Sequence, residues 1–330
     1  MIAVLVAALS AVGLAFFEGG PGASGEQKGA GGGGGKQRKV AAQQSVPAHP
    51  NYDKPAVRAH LEDQSIEESS GLAVSRATPG IFWTHNDTRG GAVVHAFDRQ
   101  GKSRGAWRVA GAQIVDWEDI AAGPGPGGRP YIYVGDIGDN DNSRAAVVVY
   151  RFPEPAVAEA GGGGGPRETE RAESVSLKFP DGPRDAEALM VHPRTGDIYV
   201  VNKTGTQDAG VYKLAAPREF SGTHTLERVG SIARQGMLGK WFTGGDISPD
   251  GRRVALCDDV SGYELELPAG GANFDRIWSQ PLAPVPLGER KQGEGISYSH
   301  DGSSIFATSE RLPTPLIEVA RTARREQRKD

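Results

Sequence analysis

The stretch DAEALMVHPRTGDIYVVNK, residues 185–203, contains the pattern that decides the fold. Two apolar runs flank the turn sequence Arg194-Thr195-Gly196, and β-branched and aromatic residues are frequent in the second run. Such runs around a glycine-containing turn predict an antiparallel pair of β-strands. An acidic residue begins the first run, and Asn202 follows the second.

The same pattern occurs five times in the chain. The five first runs are ESSGLAV from Glu68, DWEDIAA from Asp116, DAEALMV from Asp185, TGGDISP from Thr243 and QGEGISY from Gln292, aligned on Leu72, Ile120, Leu189, Ile247 and Ile296. A second and a third apolar run follow each of them, whereas helical periodicity is scarce. Repeats of roughly 40–50 residues built from short antiparallel strands are typical of a β-propeller.

We therefore predict an all-β fold, a β-propeller with five blades of four-stranded antiparallel sheets. The segment around Val57 resembles the outer strand that precedes the second repeat. It is expected to supply the missing outer strand of the last blade, which would remove an open sheet edge. Six blades are the alternative, because the interval of 69 residues between Ile120 and Leu189 has room for a degenerate blade.

The segments outside the repeats predict further regions. Residues 1–20 contain an apolar run that is short for a membrane span and predicts a signal peptide or an N-terminal anchor, although no Lys or Arg precedes it. The other regions are a Gly-rich disordered linker at 21–53, the propeller domain at 54–320 and a basic tail at 321–330. We expect a secreted or cell-envelope protein that contacts a membrane only through an uncleaved N-terminal segment.

The net charge and the cysteine content of the chain limit the kinds of partner and of covalent bond that we expect. The net charge of -4 and the pI near 6.0 argue against nucleic acid as a partner, because neutralising phosphates needs a basic surface. Cys257 is the only cysteine, so no intrachain disulfide is possible, and its apolar neighbours predict a buried thiol. We expect a monomer whose partner is a small molecule, a glycan or a protein bound at one mouth of the channel.

Acidic residues recur at fixed distances before the five anchor positions. Two residues before them are Ser70, Glu118, Glu187, Gly245 and Glu294, and four residues before them are Glu68, Asp116, Asp185, Thr243 and Gln292. Alternate residues of a strand point the same way, and inner strands line the channel, so these side chains predict an acidic ring. Crowded carboxylates repel one another unless a cation or hydrogen bonds offset their charge. The ring therefore predicts a divalent-cation site, with Ca²⁺ the first candidate because it takes six to eight oxygen ligands.

The second strands end at the same mouth, on Asn86, Asp136, Asn202, Asp258 and Ser309. These residues are either further oxygen ligands or caps that bond nearby backbone N–H groups. The loop GDIGDNDN adds Asp139, which would either chelate calcium beside Asp136 or belong to a plain polar turn. The predicted metal ligands are Glu68, Asp116, Glu118, Asp136, Asp139, Asp185, Glu187, Asn202, Asp258 and Glu294.

The runs ESSGL, DWEDIA, DAEALM and QGEGIS, with the acidic ends of the second strands, make residues 56–320 resemble two groups of exported propellers. These are the SdiA-regulated family and the phytase-like propellers. Glu294-Gly295 is also similar to lactonase-type propellers, in which such a glutamate binds the metal. The resemblance implies an exported calcium-binding propeller. Two departures stand out: blade four lacks the glutamate, and Asp119 replaces the commoner glycine after Glu118.

Two functions are consistent with this pattern. The first is a non-catalytic binding module that carries a divalent cation. The second is a metal-dependent hydrolase, a phytase-like phosphoesterase or a lactonase, which would need a metal with an open coordination position and a nearby base. The sequence offers carboxylates but no clustered Lys, Arg and His to hold a phosphate, so it favours binding and assigns no catalytic residue.

Overall fold

The structure is a computed structural model that describes residues 51–87, 90–158, 165–217 and 219–322. These residues form β-strands and two short 3₁₀ helices, Pro126–Gly128 and Phe274–Ser279. None of the helices in these ranges has the length and apolar character that crossing a membrane requires. The predicted signal segment, nearly all of the predicted linker and most of the basic tail lie outside the described residues.

The described strands form five antiparallel sheets, the blades of the propeller. The first strand in the chain is β1 (Ala56–His60). Blade 1 contains β2 (Ala73–Val74), β3 (Ile81–His85), β4 (Val93–Asp98) and β5 (Ser103–Arg108). Blade 2 contains β6 (Trp117–Pro124), β7 (Pro130–Asp136), β8 (Val147–Pro153) and, after the two-residue β9 (Arg167–Glu168), β10 (Glu173–Lys178). The strand β9 pairs in parallel with β5, on the outer edge of blade 1.

The remaining blades follow in chain order. Blade 3 contains β11 (Ala186–Val191), β12 (Ile198–Asn202), β13 (Ala209–Leu214) and, after β14 (Thr223–Thr225), β15 (Glu227–Ile232). The strand β14 pairs in parallel with β10 of blade 2. Blade 4 contains β16 (Phe242–Ile247), β17 (Arg253–Asp258), β18 (Gly262–Glu266) and β19 (Ala283–Val285). Blade 5 contains β20 (Gly293–Tyr298), β21 (Ser304–Ser309) and β22 (Pro315–Ala320).

The strand β1 completes blade 5 by pairing antiparallel with β22. The side chains support this pairing, since Arg58 Nε lies 2.7 Å from Glu318 Oε2. Tyr52, inside the predicted linker, is also buried and donates to Glu264 Oε1 at 2.6 Å. The five-bladed propeller and its N-terminal closing strand are confirmed. The six-bladed alternative is wrong, because the described strands between Ile120 and Leu189 belong to blades 1 and 2.

Apolar residues fill the spaces between neighbouring blades. Trp83 and Trp107 of blade 1, for example, pack in one cluster with Ile132 and Phe152 of blade 2. Equivalent clusters join the other neighbouring pairs, including blades 5 and 1. Cys257 lies in the cluster between blades 4 and 5, fully buried as its sequence context predicts. The clusters hold the five inner strands, β2, β6, β11, β16 and β20, around the axis.

The inner strands of blades 2 to 5 each carry an irregularity at the end where the second strand of the blade finishes. In blade 2, Trp117 pairs with Asp136 and Asp119 pairs with Gly135, so Glu118 is an extra residue. Glu187 is the extra residue in blade 3. Such a β-bulge re-aims a side chain, so the direction of these glutamates is set by the bulge rather than by simple alternation.

The bulge also corrects the sequence alignment of the fourth blade. Phe242 pairs with Asp258 and Gly244 pairs with Cys257, which leaves Thr243 at the bulge position. The alignment on Ile247 predicts Gly245 at that position and is wrong by two residues. The reason is that this isoleucine pairs with Val254, deeper in the strand than the other anchors. Blade 4 therefore presents a hydroxyl where blades 2, 3 and 5 present a carboxylate.

Candidate functional site

Three buried glutamates come together at the end of the channel where the bulges lie. Glu118, Glu187 and Glu294 are 8%, 6% and 8% exposed. Burial raises the pKa of each carboxyl, to about 7 for Glu187, and the charge of Glu187 raises the pKa of the other two further. The structure thus places the three predicted ring glutamates in one electrostatic cluster.

Further carboxylates surround these three and complete what we call the acidic mouth. Its members are Glu68, Asp87, Asp116, Glu118, Asp185, Glu187, Glu294 and Glu310. Burial and acidic neighbours raise the pKa of Asp87 to about 6 and that of Glu310 to about 7. Sequence reasoning missed both residues because it stopped at the strand ends. They come one residue later, directly after Asn86 and Ser309.

Lys203 occupies the same repeat position as Asp87 and Glu310, and it brings a positive charge into the acidic mouth. Its Nζ contacts Glu187 Oε1, lies 3.6 Å from Asp185 Oδ2 and lies 5.0 Å from the ring centroid of Trp241. Burial lowers the pKa of Lys203, but the carboxylates outweigh burial and the net shift is upward. An ammonium of this chain therefore offsets part of the repulsion that the sequence predicts.

Two carboxylates of the acidic mouth approach Gly138 closely. A Cβ added to Gly138 would lie 2.4 Å from Asp116 Oδ2 and 2.4 Å from Glu118 Oε1. The absence of a side chain at Gly138 is thus what lets the two carboxylates approach this point. Burial raises the pKa of Asp116, and the neighbouring Asp185 adds to the shift.

The polar residues that end the second strands accept hydrogen bonds from backbone N–H groups of nearby turns and of the segments before the inner strands. The carboxylate of Asp258 accepts the N–H of Gly239 at 2.7 Å, the N–H of Val260 at 2.8 Å and the hydroxyl of Tyr263 at 2.6 Å. These are the contacts of the capping alternative. They leave Asp258 little capacity for a further ligand.

Asp136, Asp139 and Asn202 have similar partners. Asp136 accepts the N–H of Val115 at 2.9 Å and pairs with the Arg144 guanidinium at 2.7 Å. Asp139 accepts the N–H groups of Ser143 and Arg144 at 2.9 and 3.0 Å. Asn202 Oδ1 accepts the N–H of Gly210 at 2.6 Å. The ring glutamates, by contrast, have no such set of backbone donors among the described contacts.

Asp119 fills the channel below the acidic mouth. Its carboxylate accepts the backbone N–H of Ile120 at 2.8 Å, of Leu189 at 2.9 Å and of Gly245 at 3.3 Å. The side chain is 1% exposed and lies between the inner strands of blades 2, 3 and 4. At the same repeat position the other inner strands have Gly71, Ala188, Gly244 and Gly295. Asp119, which stands where the other inner strands have Gly or Ala, thus places one carboxylate in the space that these small residues leave free.

Two carboxylate oxygens at the acidic mouth, Glu187 Oε2 and Asp87 Oδ1, are buried and have no hydrogen-bond partner within the described residues. Oxygen donors of this kind suit a hard cation such as Ca²⁺. In the described ranges, however, no three or more His, Cys, Asp or Glu side chains are arranged to hold a metal ion. The donor chemistry fits calcium, but two of the carboxylates, Glu187 and Asp185, lie within 4 Å of the Lys203 ammonium instead.

Comparison with known proteins identifies no family for this chain. No family model matches the sequence, and no curated protein matches it. Among solved structures 680 chains match. One of them, described as the structure of the Dos1 propeller, has 14% sequence identity and a TM-score of 0.34. The match covers 75% of this chain and 58% of that one, so this chain spans less than two thirds of the neighbour. What the chain shows, through its own five sheets, is a β-propeller.

Proposed function

We propose that this protein is a binding module that holds a cationic ligand at the acidic mouth. Eight carboxyl groups line the mouth, and Lys203 offsets only part of their charge. Electrostatic repulsion among them favours binding of a positive charge and disfavours an anionic ligand. The proposed ligand therefore carries the opposite charge to the site.

The observation that carries this proposal is the buried Oε2 of Glu187, which has no hydrogen-bond partner within the described residues. A buried polar atom without a partner destabilises the folded state by about 1–3 kcal/mol, and more if it is charged. Glu187 lies next to two other buried glutamates. When all three are ionised, their mutual repulsion destabilises the folded state further. A bound cation would satisfy this oxygen and offset the repulsion at the same time.

Ca²⁺ is the first candidate for the cation, because it is bound through oxygen ligands and tolerates irregular geometry. The side chains that would supply oxygens are Glu118, Glu187, Glu294 and Asp116, and they would have to rearrange, because no three of the described acidic side chains are placed to hold a metal ion. Binding requires Lys203 to swing away from Glu187. Export to a calcium-rich compartment belongs to the same proposal, since extracellular calcium modules work at affinities of about 10⁻⁴–10⁻³ M.

The test is thermal unfolding of the full chain with CaCl₂, MgCl₂, spermidine or a chelator, followed by titration calorimetry. A ligand that binds only the folded state adds about 2.7 kcal/mol of stability at a hundredfold excess over its Kd. Glu187→Gln should lose most of this gain, whereas Glu62→Gln, at an exposed position, should keep it. If none of the cations shifts the unfolding curve of the wild-type chain, the proposal is wrong.

The hydrolase alternative makes a different prediction for the same variants. A metal-dependent hydrolase would turn over a phosphoester or a lactone and would lose turnover together with the cation in Glu187→Gln. A binding module would bind the cation and show no turnover. A panel of both substrate classes, assayed with and without CaCl₂, separates the two.

A further inference from the structure

A cavity lies at the end of the channel away from the acidic mouth, and we call it the opposite mouth. Its volume is about 230 Å³, and it is formed where the inner strands of blades 1, 2, 4 and 5 finish. Val74, Ala122 and Ile247 form an apolar part of its wall. Two side chains of opposite charge, Arg76 and Asp246, line the same cavity.

Asp246 is fixed in orientation by three hydrogen bonds. Its Oδ2 accepts the hydroxyl of Ser297 at 2.8 Å and the backbone N–H of Tyr298 at 2.9 Å, and its Oδ1 accepts the N–H of Ile247 at 2.8 Å. A carboxylate oxygen accepts two hydrogen bonds, so Oδ1 retains capacity for another donor. The three donors are neutral, and the carboxylate charge is not neutralised by them.

Arg76 is fixed at both ends. Its backbone N–H donates to Glu154 Oε2 at 3.1 Å, and its Nη2 donates to the carbonyl oxygen of Pro193, in the hairpin of blade 3, at 3.2 Å. Trp83 Nε1 in turn holds Glu154 Oε1 at 2.9 Å. A guanidinium has five N–H donors, so the bond to Pro193 leaves most of them for a ligand.

The two charged groups attract each other but do not touch. Among the described residues, no nitrogen of Arg76 lies within 4.0 Å of a carboxylate oxygen of Asp246, although both line one cavity. The charges of Asp246 and Glu154 both favour the ionised form of the partly buried Arg76 guanidinium, but among the described residues neither carboxylate forms an ion pair with it. Such separated charges match a ligand that carries both signs on neighbouring atoms.

We propose that the opposite mouth binds a small zwitterion, an α-amino acid with a short side chain. The α-carboxylate would pair with the Arg76 guanidinium, which suits carboxylates because it offers two parallel donors. The α-ammonium would bond to Asp246, and the short side chain would contact the apolar wall of Val74, Ala122 and Ile247. A small amino acid fits within a cavity of about 230 Å³.

This site is independent of the acidic mouth. Asp119 fills the channel between the two and is bonded to three backbone N–H groups. A ligand at one mouth therefore does not contact a ligand at the other. Loss of cation binding in Glu187→Gln would leave amino-acid binding unchanged, so failure of the first proposal does not decide the second.

The experiment is titration calorimetry of the full chain with glycine, L-alanine and L-serine, and with acetate and methylamine as the two half-ligands. We expect the amino acids to bind at least about tenfold more tightly than either half-ligand, a difference of about 1.4 kcal/mol. Arg76→Met should weaken the binding of L-alanine by a similar factor or more. Arg129→Met, at an exposed arginine on the same face, should leave it unchanged.

Asp246→Asn is a second variant. It should weaken the binding of L-alanine, whose ammonium group would lose its partner, and it should leave the binding of acetate unchanged. Unfolding curves of each variant check that the fold is intact. The proposal is overturned if no amino acid binds. It is also overturned if acetate binds as tightly as L-alanine, because the cavity would then be a simple anion site. Equal binding to the wild-type chain and to Arg76→Met would contradict it as well.

Discussion

The carboxylate of Asp119 in blade 2 accepts the backbone N–H of Leu189 in blade 3, 70 residues later in the chain, at 2.9 Å. Burial raises the pKa of this carboxyl well above its usual range, whereas the backbone donors lower it. The group connects inner strands that are otherwise held together mainly by apolar packing. Asp119 therefore makes the centre of the channel part of the structural core.

Replacement of Asp119 by Ala should destabilise the protein by about 3 kcal/mol or more, because buried N–H groups would lose their acceptor. Asp119→Asn should lower the free energy of unfolding by less, because one acceptor oxygen remains. It should still destabilise the protein, because the new amide N–H₂ would face backbone N–H donors. Chemical denaturation measures both. Asp141→Ala, at an exposed position of a nearby loop, is the control and should change stability by less than about 0.5 kcal/mol. A similar small effect for Asp119→Ala would contradict the assignment.

The acidic mouth should make stability depend on pH. The pKa of Glu187 is raised from its ordinary value to about 7 in the folded protein, so the folded state binds this proton more tightly than the unfolded state. The contribution is present below the unfolded pKa of about 4.5 and is lost as pH rises through about 7. In chelator, the melting temperature should fall between pH 5 and pH 8 through this group.

Glu187→Gln should flatten that decline, because glutamine carries no titrating charge. The variant should be more stable than the wild-type chain at pH 8 in chelator and lose this advantage at pH 5. Cation affinity of the wild-type chain should rise over the same interval as protons leave. A loss of stability that is equal at both pH values would instead assign Glu187 a purely structural role.

Gly138→Ala should weaken cation binding without removing any charge. The new Cβ would displace the carboxylates of Asp116 and Glu118, both at 2.4 Å from its ideal position, and these flexible ends can move at small cost to the fold. We expect about a tenfold loss of affinity by calorimetry. Gly165→Ala is the matched control, because a Cβ there would meet nothing within 4 Å. Equal affinities of the two variants would show that Asp116 and Glu118 do not hold the ligand together.

The N-terminal segment that closes blade 5 should be required for full stability from Asn51 onward. Removing residues 1–50 should leave the melting temperature unchanged, whereas removing residues 1–62 deletes β1 and the buried Leu61, which is 2% exposed. Leu61→Ala alone should cost about 2–5 kcal/mol through the cavity that it leaves. Val57→Ala, at a position 56% exposed, should cost little. An unchanged melting temperature after the longer truncation would contradict the role of β1.

The repeats predict the blades well because each strand is a local pattern of apolar residues between turns. The convergence of Glu118, Glu187 and Glu294 could also be predicted, since one repeat position maps to one place around an axis. The shift of Thr243 could not, because Ile247, which lies two residues deeper in its strand, matched the anchor position equally well in the sequence.

The roles of Lys203, Asp119 and Arg76 could not be predicted for a different reason. Each acts on a blade other than its own or on a neighbouring strand, so its partner is not fixed by the spacing within a repeat. A hint was nonetheless present for Asp119, because in the sequence alignment its position holds Asp119 and Asp246, where the other repeats have Gly or Ala. An unlike residue in a repeat position deserves a search for a partner across the axis.

The pairing of β1 with β22 joins segments that a ribosome would release at opposite ends of propeller synthesis. Blades 1 to 4 can form as they emerge, because each contains strands that are close in sequence. The fifth blade must wait, since its outer strand is made first and its neighbour last. Until then β1 is an open edge, and an open edge invites pairing with other chains. Its length of five residues and its charged Arg58 limit that hazard during the wait.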